Sequence, residues 1–145
     1  MSAADLSIPI RTALLAEATI TALLPTYQGS KPIFTRRPAP TDITYPIIMV
    51  SPDVSIAEQD GIDDFRPVQE RDITVYGQNS TAQKYRDVEA IAFLVRNLFH
   101  SQWRSLTVSG WKVVDINCRG PAPAPTDDDQ TVARVVSLTV QLARH

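Results

Sequence analysis

Three consecutive aspartates, Asp127, Asp128 and Asp129, are the residues whose type and spacing most readily suggest chemistry, because carboxylate oxygens bind calcium and magnesium. A calcium loop, however, spaces its oxygen ligands along the chain around a central glycine and closes with a glutamate. Neither feature is present here, and in an extended chain the three side chains point to alternate sides. We therefore predict that these aspartates hold no metal.

A second acidic group surrounds the turn signal Asp60-Gly61. Its members are Glu58, Asp60, Asp63 and Asp64. A carboxyl group that acts as a general acid near neutral pH needs an apolar setting that raises its pKa, and the surrounding sequence offers none. The segment from Val54 to Asp64 therefore predicts a turn or an exposed connection between strands.

The remaining reactive side chains also lack partners at useful spacing. His100 stands at the end of a predicted helix, where a cation suits the helix dipole, and His145 is the last residue. Cys118 lies in an apolar alternation and is predicted to be a small core residue. No serine stands in a Gly-x-Ser-x-Gly frame and the five glycines are not grouped. We predict no catalytic residue, no metal and no cofactor.

Nucleic-acid and membrane binding are also disfavoured. Fourteen basic against sixteen acidic side chains give a net charge of -2, which argues against strong phosphate attraction, and the pair Arg36 and Arg37 does not change that. Trp103 and Trp111 could stack on bases, but they are not interleaved with basic runs, so core or interface roles are favoured. No run is long enough to span a membrane and no secretion signal is visible, which predicts a protein made in a cytoplasm.

The hydrophobic pattern predicts the elements that would position these residues. Predicted helices cover 7–24, with a break near 19–21, and 80–100; predicted strands cover 33–34, 47–50, 68–76, 111–118 and 131–143, with local pairing of 106–108 across Ser109-Gly110. This order predicts a single α+β domain over 1–145, with a mainly antiparallel sheet of about five strands and two helices packed on one face.

A loop rich in proline and aspartate, 121–129, separates the last two predicted strands. Alternating prolines stiffen a segment and cannot donate to a sheet, and aspartates remain solvated. The loop is therefore predicted to be an assembly surface, and a simple connector between strands is an equal alternative. The candidate interface residues are Pro121, Pro123, Pro125, Asp127, Asp128, Asp129, Arg36 and Arg37.

Three stretches in sequence resemble a known family. They are IRTALLAEATITALL, PIFTRRPAPTDITYPIIMVSPD and RDITVYGQNSTAQKYRDVEAIAFLVRNLF. Their apolar positions, the Tyr-Pro before a buried strand and the strand-to-helix junction resemble the tail completion or tail terminator proteins of bacteriophages with long non-contractile tails. Similar proteins occur in gene transfer agents. The acidic loop and the length of the last strand do not match the family pattern.

The resemblance implies a non-enzymatic subunit of a ring, usually six-fold, that caps the tail tube and joins it to the head connector. It implies a place in the virion after assembly in the host cytoplasm. Six touching subunits of about 15 Å radius of gyration would enclose a lumen about one subunit wide, through which DNA could pass without specific binding. The alternatives are a head-completion ring, or a small cytoplasmic ligand-binding or enzymatic domain. Convergent titratable groups in a cleft would favour the last of these.

Overall fold

The computed structural model describes residues 6–35, 45–51, 55–60, 65–78, 82–124 and 131–144, of which 55–60, 65–67, 82–85 and 144 are described by their backbone alone. The helices are α1 (Ser7–Ala16), α2 (Ala18–Thr21) and α3 (Ala82–Phe99), and a 3-10 helix follows at Trp103–Ser105. The strands are β1 (Ile33–Phe34), β2 (Ile47–Val50), β3 (Ser55–Asp60), β4 (Phe65–Gln78), β5 (Trp111–Pro123) and β6 (Thr131–Arg144). The predicted α+β single domain is confirmed.

One sheet contains all of these strands, in the order β1-β2-β4-β6-β5, with β3 beside the first half of β4. Only β1 and β2 run parallel to each other, and the remaining described pairs are antiparallel. On one side β4 pairs first with β3 and then with β2, while its other side pairs with β6. The long strands β4 and β6 therefore form the centre of the sheet, and β5 forms one edge.

Alternation along the central strands places the hydrophobic core on one face of the sheet. Ile73 of β4 lies opposite Val136 of β6, and both side chains are fully buried. The helices cover this face. The core cluster on the sheet side includes Ile48, Val50, Ile73, Val75, Ile116, Cys118, Val136, Leu138, Val140 and Leu142. The apolar side chains of both central strands are thus buried on one face, and the predicted packing of the helices on one face is confirmed.

The helices follow their apolar stripes, with one break. In α1, Ile10 and Leu14 are buried, and the helix ends where Glu17 adopts an extended backbone, a little earlier than predicted. The short α2 then begins. In α3 the apolar stripe is buried: Val88, Ile91, Ala92, Val95 and Phe99 are fully buried, and Leu98 packs beside them.

The acidic segment near Asp60 corrects one prediction. We expected 54–64 to be a turn or connection, but Ser55–Asp60 forms β3 and pairs with β4 from Ser55↔Glu70 to Asp60↔Phe65. A neighbouring strand can impose strand structure on residues of low β propensity, because propensity depends strongly on tertiary context. The connection is therefore shorter than predicted, and its residues 61–64 lie outside the described part of the chain.

The start of the proline-rich segment corrects a second prediction. Strand β5 was expected to end near Cys118, but it continues to Pro123. The register passes from Arg119↔Ser137 to Ala122↔Val135, so Gly120 and Pro121 form a bulge. Proline is tolerated there because β5 is an edge strand, in which a missing donor does not interrupt a second ladder. The predicted loop at 121–129 therefore begins as strand.

Candidate assembly surface

The predicted interface residues fall partly inside the described structure. Pro121 is half-buried and Pro123 is exposed, both near the end of β5. The amide of Ala124 still donates to the carbonyl of Ala133, at 3.1 Å, so pairing with β6 continues just past the strand. Pro125, Asp127, Asp128, Asp129, Arg36 and Arg37 lie outside the described residues.

The carboxylates near the β3–β4 connection lie where the structure describes no side chains. Glu58 and Asp60 lie on β3, where the backbone alone is described, and Asp63 and Asp64 lie outside the described residues. Among the side chains that the structure does describe, no three of histidine, cysteine, aspartate and glutamate gather where they could hold a metal ion.

Cys118 is buried on the core face of β5, as predicted. Burial raises the pKa of its thiol to about 11, and the nearby positive charge of Arg96 opposes this rise only in part. A nucleophilic cysteine needs the opposite shift, because the thiolate is the reactive form. Cys118 is therefore a packing residue.

His100 has a structural contact that its position at the helix end did not reveal. Its Nδ1 accepts a hydrogen bond from the backbone N–H of Cys118, at 3.0 Å. Next to it, the amide of Ser101 donates to the carbonyl of Ile116, at 2.8 Å. The turn after α3 thus satisfies two backbone groups of β5. This contact between residues far apart in sequence could not be predicted from the helix pattern.

A cleft surrounds Trp103 at the end of the sheet where β5 begins. Two hollows of about 470 and 380 Å³ lie beside this residue, and they share Trp103, Lys112 and Val113 in their walls. Trp111 and Arg104 line the larger hollow, and Val114 lines the smaller. We call this surface the tryptophan cleft. Trp103 is 45% exposed, although a side chain of this kind usually packs inside a protein.

Local turns bring the two tryptophans to the same surface. Ser105 Oγ donates to the carbonyl of Gln102, at 2.7 Å, within the turn that carries Trp103. Val108 then bridges to Trp111, as the predicted local pairing requires, and Gly110 between them has a φ of +80°. Glycine adopts this backbone conformation at little cost, so the chain reverses directly into β5. The two tryptophans consequently stand on the two arms of one reversal.

Positive charge distinguishes the tryptophan cleft within this slightly acidic protein. Arg104 and Lys112 line it, and among the side chains that the structure describes no acidic one does. The guanidinium carbon of Arg104 lies 4.8 Å from the Trp103 ring centroid, a cation–π contact. Because its basic residues form no run in the sequence, this site was not predicted. The available signal was the repeated pair of a tryptophan followed by a basic residue, Trp103-Arg104 and Trp111-Lys112.

A third hollow, of about 580 Å³, continues from the cleft toward α1. It is lined by uncharged residues, including Ile8 and Thr12 of α1 and Val108. Ile8 is 65% exposed. The apolar and aromatic surface therefore extends from the start of β5 onto the first helix.

Comparisons with known proteins find similarity at the level of the fold. No family model matches the sequence, and no curated protein matches it. The fold is similar to that of a chain in the solved structure of the virion of a native gene transfer agent particle, with a TM-score of 0.74. The match covers 96% of this chain and 95% of that chain at 14% identity. The two chains therefore share a fold over nearly their whole lengths.

None of the described helices has the length and apolar content needed to cross a bilayer.

Proposed function

We propose that this protein is a structural component of a bacteriophage or a gene transfer agent, and that it caps the finished tail tube as a ring and joins the tail to the head connector. The observation that carries the proposal is the fold shared, nearly end to end, with a chain of a gene transfer agent virion. The sequence resemblance to tail terminator proteins supports the same role from separate information.

The residues at the ends of the β5–β6 hairpin fit an assembly role better than a catalytic one. The tryptophan cleft carries two cations and no described acid, so it lacks the acid–base pair that most hydrolytic or proton-transfer sites need. Tryptophan and arginine are instead enriched in protein interfaces. The predicted interface residues, Arg36 and Arg37 together with the loop from Pro121 to Asp129, are proposed to contribute to the same assembly.

In the assembled particle the protein would occupy the head-proximal end of the tail, in contact with the tail tube protein and the head connector. Closed rings are the usual outcome when identical subunits bind head to tail and the rotation closes. We propose six subunits, which leave a lumen wide enough for duplex DNA to pass without specific binding. The protein would act without a catalytic residue, cofactor or metal.

The test is to image the purified protein by negative-stain microscopy and weigh it by native mass spectrometry, alone and mixed with polymerised tail tubes. We expect six-fold rings at one end of each tube. Rings that bind head connectors but never tubes would assign the head-completion role instead. A protein that stays monomeric even with tubes would contradict the ring.

A further inference from the structure

We propose that the tryptophan cleft binds the Pro121–Asp129 segment of a second copy of this chain. This head-to-tail contact rests on the proposed function, because it specifies how the subunits of the ring join. The segment's sequence is PAPAPTDDD. Its prolines would lie against the indole rings, and its aspartates would face the two cations of the cleft.

Charge complementarity is the first argument for this occupant. The cleft presents Arg104 and Lys112, and within the part of the chain that the structure describes neither has an acidic partner. The segment Pro121–Asp129 carries three aspartates and no basic residue. In a chain with a net charge of -2, a basic cleft and an acidic segment of this kind are a complementary pair.

The chemistry of proline and tryptophan is the second argument. Proline-rich segments are already extended before binding, so they lose little conformational entropy when they dock, and grooves lined by aromatic side chains are their common binding sites. Trp103 is 45% exposed and Trp111 is half-buried, so the cleft offers aromatic surface of the required kind. Arg104 lies over the Trp103 ring, at 4.8 Å, and so places a positive charge beside that surface.

The geometry of the β5–β6 hairpin shows why the segment must come from another copy. The cleft lies at one end of the hairpin, where Trp111 pairs with Arg144, and the segment continues from the other end, where Pro123 pairs with Arg134. A strand of the length of β5 separates these ends by about 40 Å. Residues 124–130, even fully extended, would cover about 25 Å and must also return to β6.

In this contact, one end of the hairpin of one copy binds the other end of the hairpin of the next copy. That arrangement has the symmetry that a ring needs. The surface used on one copy differs from the surface used on the next, so the contact is heterologous. Such contacts continue from subunit to subunit until the ring closes. Each copy would donate one segment and receive one.

The first experiment measures the contact itself. A synthetic peptide of residues 120–130, labelled for fluorescence anisotropy, is titrated into the full chain. We expect saturable binding that weakens with added salt, and at least a tenfold loss of affinity when the three aspartates are replaced by asparagine. Since both tryptophans of the protein line the cleft, unlabelled peptide should also change the intrinsic fluorescence.

Variants then locate the binding site. Trp103→Ala, and separately Arg104→Ser at an exposed position, should each weaken peptide binding at least tenfold. Phe93→Ala is the matched control, because Phe93 is an aromatic residue that is 56% exposed and lies on α3 outside the cleft. It should bind as the wild type does. Absence of peptide binding at millimolar concentration, or full binding by both cleft variants, would overturn the proposal.

The second experiment tests the contact in assembly, with tail tubes present. Variants with Arg104→Asp and Lys112→Asp, or with all three aspartates of the segment changed to lysine, should form no rings, and the combination of both sets should restore them. Mixing a cleft variant with a segment variant should also restore rings, in which the two variants alternate, because the native and the charge-reversed pairs of surfaces are both complementary. If both sets of variants still form rings like those of the wild type, this contact is refuted, while the proposed ring is not. Peptide binding without any wild-type ring would leave the contact standing and refute the proposed function.

Discussion

Strands β5 and β6 belong to one hairpin, yet they are built differently. Strand β6 is paired on both sides, with β4 and with β5, and its side chains alternate without interruption. Strand β5 is an edge, and its register shifts twice, once near Val114 and once at Gly120 and Pro121. The central strand is fixed by its hydrophobic pattern, whereas the edge strand carries the irregular backbone that shapes the surface at each end of the hairpin.

The largest difference should appear when a core side chain of β6 is shortened. Leu138 is fully buried and belongs to the core cluster. Leu138→Ala should lower the free energy of unfolding by about 3 kcal/mol, from lost burial and the cavity left behind. Urea unfolding followed by circular dichroism measures this.

Thr139→Ala is the control for that change, because Thr139 is the next residue of β6 and points to the opposite face. It should cost less than about 1 kcal/mol. Equal losses at the two positions would contradict the one-sided core.

The second bulge of β5 should be sensitive for a different reason. Gly120 has a φ of +97°, and a Cβ at this position would lie 2.6 Å from the carbonyl oxygen of Val135. Gly120→Ala should destabilise the protein by about 2 kcal/mol or more, since it combines backbone strain with a clash against β6.

Gly110→Ala separates these two causes. Gly110 also has a positive φ, of +80°, but a Cβ there would meet nothing within 4 Å. Its cost should be about 1 kcal/mol, which reflects the backbone alone. Thermal unfolding of both variants gives the comparison. If the Gly110 variant loses as much stability as the Gly120 variant, the clash is unimportant.

The hydrogen bond between His100 and the edge strand β5 should contribute less to the free energy of unfolding. In His100→Ala the backbone N–H of Cys118 loses its acceptor, so we expect a loss of about 1 kcal/mol. His100→Asn should recover part of this, because its side-chain oxygen can accept the same hydrogen bond. Faster hydrogen exchange of the Cys118 amide in the alanine variant alone would identify the cause. Unchanged exchange in that variant would mean that the contact does not protect the edge.

Sequence patterns predicted the regular parts of this comparison well. The alternation of Val136, Leu138 and Val140 determined the core face of β6, since successive strand residues point to opposite faces. The stripe of α3 was equally readable. Strand β3 was missed because its acidic residues resemble a turn, and its strand structure depends on pairing with β4.

The candidate site was predicted less well, for a physical reason. The tryptophan cleft joins Trp103, which follows α3, to Trp111 at the start of β5, and the reversal at Gly110 brings them together. The cation–π contact of Arg104 and the contact of His100 with Cys118 likewise depend on how the chain turns after α3. Hydrophobic periodicity and composition predict regular helices and strands, so they could not predict a surface formed by irregular turns.

The smallest expected effect lies at the first bulge of β5, where adjacent valines should behave in opposite ways. The register passes from Val113↔Leu142 directly to Asp115↔Gln141, so Val114 has no residue opposite it. Val114 is 39% exposed and Val113 is buried in the core cluster. Val114→Ala should therefore change the free energy of unfolding by no more than about 0.5 kcal/mol, as exposed substitutions usually do. Val113→Ala removes the same atoms from a buried position and should cost about 1–2 kcal/mol. Urea titrations of the two variants, run side by side, measure the difference. Equal losses would mean that residue 114 packs against the core after all, and that the edge strand runs as regularly as its partner at this end of the hairpin.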